Sequence, residues 1–271
     1  MKSKKILLAI PAIALVLGMT ACDTGGGKTD TASSAGHSVS YSGIGGGSAY
    51  ILTITENAGR AASYTAKDGD AYVLQIISLS DNKAQTSSGT VKTAGATLTL
   101  TPSGSATTFT VTVSGDSISA ISGTITLDDK KTKKAPGSVT PSVPDADLNG
   151  TWISDTSADY QYVFKNGSFE RTSFTKGTYI TGSSGGKKYI IGIVTQRYDD
   201  NTKKWYSKDD FLSLVAAEYN KDPSAFSSWD SLDDYLSGYK QEFNFTAQYS
   251  ISGNTLTLTQ WWGSDEVFTK Q

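Results

Sequence analysis
One cysteine, one histidine and two methionines are all the sulfur and imidazole that 271 residues contain. With Cys22 alone, no disulfide closes within the chain. With His37 alone, set among glycines and serines, a serine or cysteine hydrolase lacks the base its nucleophile needs. The same scarcity speaks against structural zinc and against haem held by histidine or methionine. No glycine-rich phosphate loop follows a strand-like run, so no cofactor is expected and the chain reads as a non-enzyme. A basic face is missing too: the formal charge is −2, and −5 without Lys2, Lys4 and Lys5. Nucleic acid is therefore not an expected partner. The acidic pairs Asp199-Asp200, Asp209-Asp210 and Asp233-Asp234 suit turns and a helix start, which leaves no metal site to propose.

Charge is also absent from Ile6 to Met19, directly after the basic opening Met1-Lys2-Ser3-Lys4-Lys5. The run contains Pro11 and Gly18 and is too short to span a bilayer comfortably. Residues 1–21 read as a secretory signal. Its end, Met19-Thr20-Ala21-Cys22, resembles the lipobox of bacterial lipoproteins. The resemblance implies that Cys22 becomes the first mature residue, thioether-linked to diacylglycerol, so that the membrane is reached through lipidated Cys22. Each buried acyl methylene contributes about 0.8 kcal/mol, and two or more chains hold a protein stably. The implied location is the cell envelope, at the outer membrane or cell surface rather than the inner membrane. Residues 22–40, rich in Gly, Ser and Thr, form a disordered tether reaching about 20–25 Å.

Helix formers are scarce beyond this point, while Ser, Thr and Gly abound, so the fold class is mainly β with two antiparallel domains. A lysine cluster and three prolines mark 129–146 as a linker between a domain at 41–128 and another at 147–271. The first domain alternates through 49–55, 71–79, 97–101, 107–113 and 118–127, as a small meander or open barrel. A likeness links the two domains. Gly95-Ala96-Thr97-Leu98-Thr99-Leu100-Thr101 with Phe109-Thr110 echoes Gly253-Asn254-Thr255-Leu256-Thr257-Leu258-Thr259 with Phe268-Thr269, which favours a duplicated hairpin unit.

The second domain opens Leu148-Asn149-Gly150-Thr151-Trp152, turns at Lys165-Asn166-Gly167, and closes on the strands around Gly253 to Leu258. Asn-Gly accepts the positive φ of a type I′ hairpin. These residues resemble the lipocalin-like, or calycin, domains of bacterial lipoproteins of the spirochaete kind. The resemblance implies an up-and-down barrel, with Trp152 plugging its closed end. The arginine that the family packs on this tryptophan from the last strand is missing, with only Lys270 nearby.

One stretch, 208–239, breaks the β pattern. Ser207 caps a helix that carries Phe211, Leu214, Val215 and Tyr219 on one face. Asp222-Pro223 starts a second helix striped with Trp229, Leu232, Leu236 and Tyr239. This insertion either lids the barrel mouth or packs outside it.

All five tryptophans lie in the second domain. Beyond Trp152, the candidate ligand or interface aromatics are Trp205, Trp229, Tyr235, Trp261 and Trp262. The leading expectation is a lipid-anchored envelope protein whose second domain binds a small apolar ligand. The alternative is a filled barrel that engages a host or envelope protein, or a glycan, through its aromatic face.

Overall fold
The computed structural model describes residues 38–56, 65–226, 228–232, 235, 236, 239, 244–260 and 265–271. Residues 1–37, with Cys22 and nearly all of the expected tether, lie outside them, as do Trp261 and Trp262. The fold is mainly β and consists of two closed barrels.

The first barrel begins with β1 (Ser38–Gly45), β2 (Ser48–Thr55), β3 (Ala71–Ser78) and β4 (Ala84–Ala94). It continues with β5 (Thr97–Pro102), β6 (Phe109–Ser114) and β7 (Ser117–Thr126). Each strand pairs antiparallel with the next. Period-2 alternation places the core: in β5, Leu98 and Leu100 are buried while the intervening threonines are half-exposed. β1 starts at Ser38, so the last three residues of the expected tether already belong to the sheet.

Seven strands in an up-and-down order leave the first and last running in the same direction. β1 and β7 do meet in parallel, at the single pair Ser42 and Ser117. The rest of that gap is filled by the segment expected to be a linker. After β8 (Thr132–Lys134), the two-residue strands β9 (Gly137–Ser138) and β10 (Thr140–Pro141) run back through the seam. β9 pairs antiparallel with β7 and β10 pairs antiparallel with β1. Val139, between them, is buried in the core, and its amide donates to the Ser119 carbonyl at 3.0 Å. Much of 129–146 is therefore barrel wall and not a free linker.

The second barrel comprises β11 (Gly150–Ser154), β12 (Gln161–Lys165), β13 (Ser168–Arg171), β14 (Thr175–Ser184) and β15 (Lys187–Asp199). After β16 (Lys204–Ser207) and α1 (Lys208–Lys221) come β17 (Asn244–Ser252), β18 (Thr255–Gln260) and β19 (Asp265–Lys270). β16 folds back on β15 outside the ring, and the other eight strands close it. An even count makes the closing pair antiparallel, with Trp152 opposite Lys270 and Ser154 opposite Phe268. Asn166 and Gly167 form the expected turn, with φ of 48° and 85°. The inside is filled by rings: Trp152, Tyr162, Phe164, Phe169, Tyr179, Tyr249 and Phe268 are all buried. Eight strands enclose a space about wide enough for side chains to fill. Gly192 makes room for one of them, since a Cβ there would lie 2.0 Å from the Phe245 ring.

The expected second helix differs from the structure. Past α1, residues Pro223–Phe226 form a 3-10 turn, and helical positions reappear at Leu232, Tyr235, Leu236 and Tyr239. One α-helix has defined ends among the described residues.

The barrels also share an apolar joint. Ile44, Ile51 and Ile77 of the first meet Ile180, Ile191 and Ile193 of the second. Gly182 allows the approach, because a Cβ there would stand 2.5 Å from Ile44. The Thr181 hydroxyl donates to the Val143 carbonyl across the joint. Beside it, Asp145 accepts from the Tyr249 hydroxyl at 2.7 Å and from Lys188 at 3.1 Å. Burial opposes the Asp145 charge, yet these donors and the Asp147 amide together hold its carboxyl below the ordinary carboxylate value.

Candidate functional site
The eight-stranded barrel has two unlike ends. At the floor, the 3-10 turn Ala146–Leu148 leads into β11, and the Trp152 indole donates to the Leu148 carbonyl at 2.6 Å. The cross-strand row through Trp152 passes Tyr162, Arg171, Thr175 and Arg197 in turn. Because barrel strands tilt, such a row climbs along the axis. It starts at Lys270 on the floor and ends at Arg197 on the rim.

Near that rim the inward side chains change character. On β13 the alternation that buries Phe169 next brings in Arg171. On β19 it passes from Phe268 to Glu266, and ahead of β12 from Tyr162 to Tyr160. β15 needs one extra residue to join in. Val194 pairs with Gly177 but Gln196 pairs with Lys176, so Thr195 is a bulge that turns Arg197 into line with the buried Thr175.

The rim is a ladder of rings and guanidinium groups. Arg171 lies 4.2 Å from the Tyr160 ring centre and 4.3 Å from that of Phe174. Arg197 lies 4.2 Å from the same Phe174 ring and 5.3 Å from Phe211 of α1, with Tyr239 at 5.9 Å. The Tyr160 hydroxyl donates to Glu266 at 2.7 Å, and the Tyr160 ring lies 5.8 Å from that of Tyr162. Burial, then the neighbouring Tyr162, pushes the Tyr160 phenol well up, and burial raises Tyr162 as well. Both phenols stay protonated donors across the physiological range.

α1 brings the remaining rings. Its N-cap Ser207 accepts from the Asp210 amide at 3.2 Å and donates to the Asp210 carboxylate at 2.7 Å, as the sequence pattern anticipates. Phe211 and Val215 are buried against the barrel core, so the helix covers this end. Tyr235 packs on Phe226, Tyr219 and Trp229 with ring centres 4.8, 5.5 and 5.6 Å away. Trp229 is the most exposed of the described tryptophans, at 38 %.

The expected aromatics thus divide. Tyr235 and Trp229 join the cluster around the helix, and Trp152 is buried near the floor. Trp205 sits on β16 beside Tyr198, its ring under the Lys176 ammonium at 4.2 Å, away from the rim cluster. Trp261, Trp262 and Cys22 fall outside the described residues. Of the acidic pairs, Asp199 accepts from the Thr202 amide and hydroxyl at 2.9 and 2.6 Å, a turn role. Sequence reasoning passed over Arg171, Arg197, Tyr160, Phe174 and Glu266. One signal is present: Arg60, Arg171 and Arg197 are the chain's only arginines, and two of them lie at or near strand ends of one barrel.

Compared with protein-family models, curated proteins and solved structures, the chain matches none.

Among the described residues, the rim offers hydrogen-bond donors, flat apolar faces and the Glu266 carboxylate.

Proposed function
We propose that the protein is a lipid-anchored, non-enzymatic bacterial envelope protein. Its second, lipocalin-like barrel holds a small, largely apolar ligand at the helix-covered rim and not deep inside. The change in lining carries this reading: close-packed rings fill the middle of the barrel, and towards α1 the inward side chains become Arg171, Arg197 and Glu266. A filled interior also favours a second reading, in which the cluster around the half-exposed Trp229 contacts an envelope or host protein or a glycan.

Anchoring is tested at Cys22. The uncharged run ending in Met-Thr-Ala-Cys predicts that Cys22→Ser moves the protein from the detergent phase to the aqueous phase. Equal partitioning of both forms would end the lipoprotein reading.

Ligand binding is tested on that soluble variant with N-phenyl-1-naphthylamine, a neutral fluorescent probe. Saturable binding at one site is expected. Phe211→Ala should weaken it about tenfold, the worth of one buried aromatic contact. Trp205→Ala, away from the rim, should leave it unchanged. An equal effect of the two substitutions, or no saturable binding, rejects the rim as the site.

A further inference from the structure
Guanidinium groups rarely line a barrel interior without a reason, because burying charge is unfavourable unless it is compensated. Here Arg171 lies against two rings, within 4.3 Å of each ring centre. Contact through its flat faces leaves the five N–H donors in the plane, along an edge shaped to meet two oxygens at once. Among the described residues, no carboxylate reaches Arg171 at ion-pair distance. Glu266, which shares the rim, already accepts from Tyr160. Arg197 adds a second positive charge from across β14, next to the same Phe174 ring and to Phe211.

We propose that the rim recognises a small molecule in which an oxyanion (a carboxylate, sulfonate or phosphate) adjoins a flat apolar group. The Arg171 edge takes the oxyanion, and the rings of Phe174, Phe211 and Tyr239 take the apolar part. This rests on the rim-binding reading above and gives the ligand its charge. Enclosure by rings strengthens the attraction, since ion pairs away from water are screened less.

Two probes with one ring system test it: 8-anilinonaphthalene-1-sulfonate and N-phenyl-1-naphthylamine, which differ by the sulfonate. Titrated into the full Cys22→Ser chain, the sulfonate should bind about tenfold tighter than the amine, the effect of a hydrogen-bonded charge. High salt should shrink that margin. Arg171→Gln should remove the preference and leave the affinity for the amine unchanged, while Arg171→Lys, which keeps the charge but not the fork, should retain part of it. Equal affinities at the unsubstituted rim, or an equal loss for both probes in Arg171→Gln, would show a purely structural ladder and overturn the inference while rim binding stands. If neither probe binds, the rim-binding reading falls and this inference with it. Should Arg171→Gln lose its cooperative melt, the two-probe comparison on the unsubstituted rim decides alone.

Discussion
Trp152→Ala should lower the stability of the second barrel by about 3–5 kcal/mol, the range for deleting a large buried aromatic. Three features place this residue at the upper end. The indole is fully buried at the seam where β11 meets β19, so the cavity opens where the ring of strands closes. Its N–H donates to the Leu148 carbonyl at 2.6 Å, and truncation leaves that buried acceptor without this donor. The Lys270 ammonium rests 5.0 Å from the ring centre while donating to the Asp147 carbonyl at 3.1 Å. A lysine here takes the place over the tryptophan where the lipocalin-like resemblance implies an arginine. Gly150 makes the arrangement possible, with φ at 135° and no Cβ to strike the Lys270 chain 2.8 Å away. Urea unfolding followed by circular dichroism would measure the loss. A change below about 1 kcal/mol, less than a typical core truncation, would remove Trp152 from the set of residues that hold the barrel shut.

A fragment ending at residue 128 should fail to melt cooperatively, whereas one extended to 144 should do so. The shorter piece keeps the seven-stranded meander but loses β9, β10 and the buried Val139, which together fill the gap between β1 and β7. Without them the barrel has two open edges and an exposed core, and unpaired edges favour association over folding. Both fragments keep Ile44, Ile51 and Ile77 uncovered, so the comparison isolates the seam from the joint. Calorimetry at low concentration is the measurement. Matching transitions for the two pieces would return 129–146 to the role of a linker.

That segment shows where sequence reading stops. Strands whose apolar residues alternate announce themselves, as β5 and β18 do, and the Asn166-Gly167 hairpin shows by its turn chemistry, whereas β1 and β4, rich in Ser, Thr and Gly, carry no such signal. β9 and β10 are two residues each and lie among Pro136, Pro141 and Pro144, where no periodicity can develop. Their place follows from counting strands: an odd meander needs a returning segment, and nothing local says so. Arg197 was hidden differently. Simple alternation from Val194 puts Gln196 inside, and only the bulge at Thr195 reverses this. The echo between the domains is also weaker in space than in sequence. Leu100 faces Phe109 in the first barrel, whereas in the second Leu256, not Leu258, faces Phe268. The matching residues thus sit in different registers, at strands five and six of one ring and seven and eight of the other. Alternating Thr and Leu suits any two-faced strand, and that requirement accounts for the likeness.

The even strand count of the second barrel fixes where its polypeptide ends meet. Gln271 hydrogen-bonds through its amide to the Thr151 carbonyl at 3.0 Å, so the last residue lies beside the start of β11. Topologically the barrel is almost a circle already, cut at the floor. A short peptide joining the two ends would complete it, and a new cut in the loop between β14 and β15, at Gly185-Gly186, would also fall on the floor side. Such a permuted barrel would keep every strand pair and the whole rim. For the same reason, a fluorophore or surface-immobilisation handle placed after Gln271 sits at the end opposite the arginines and leaves the rim unobstructed.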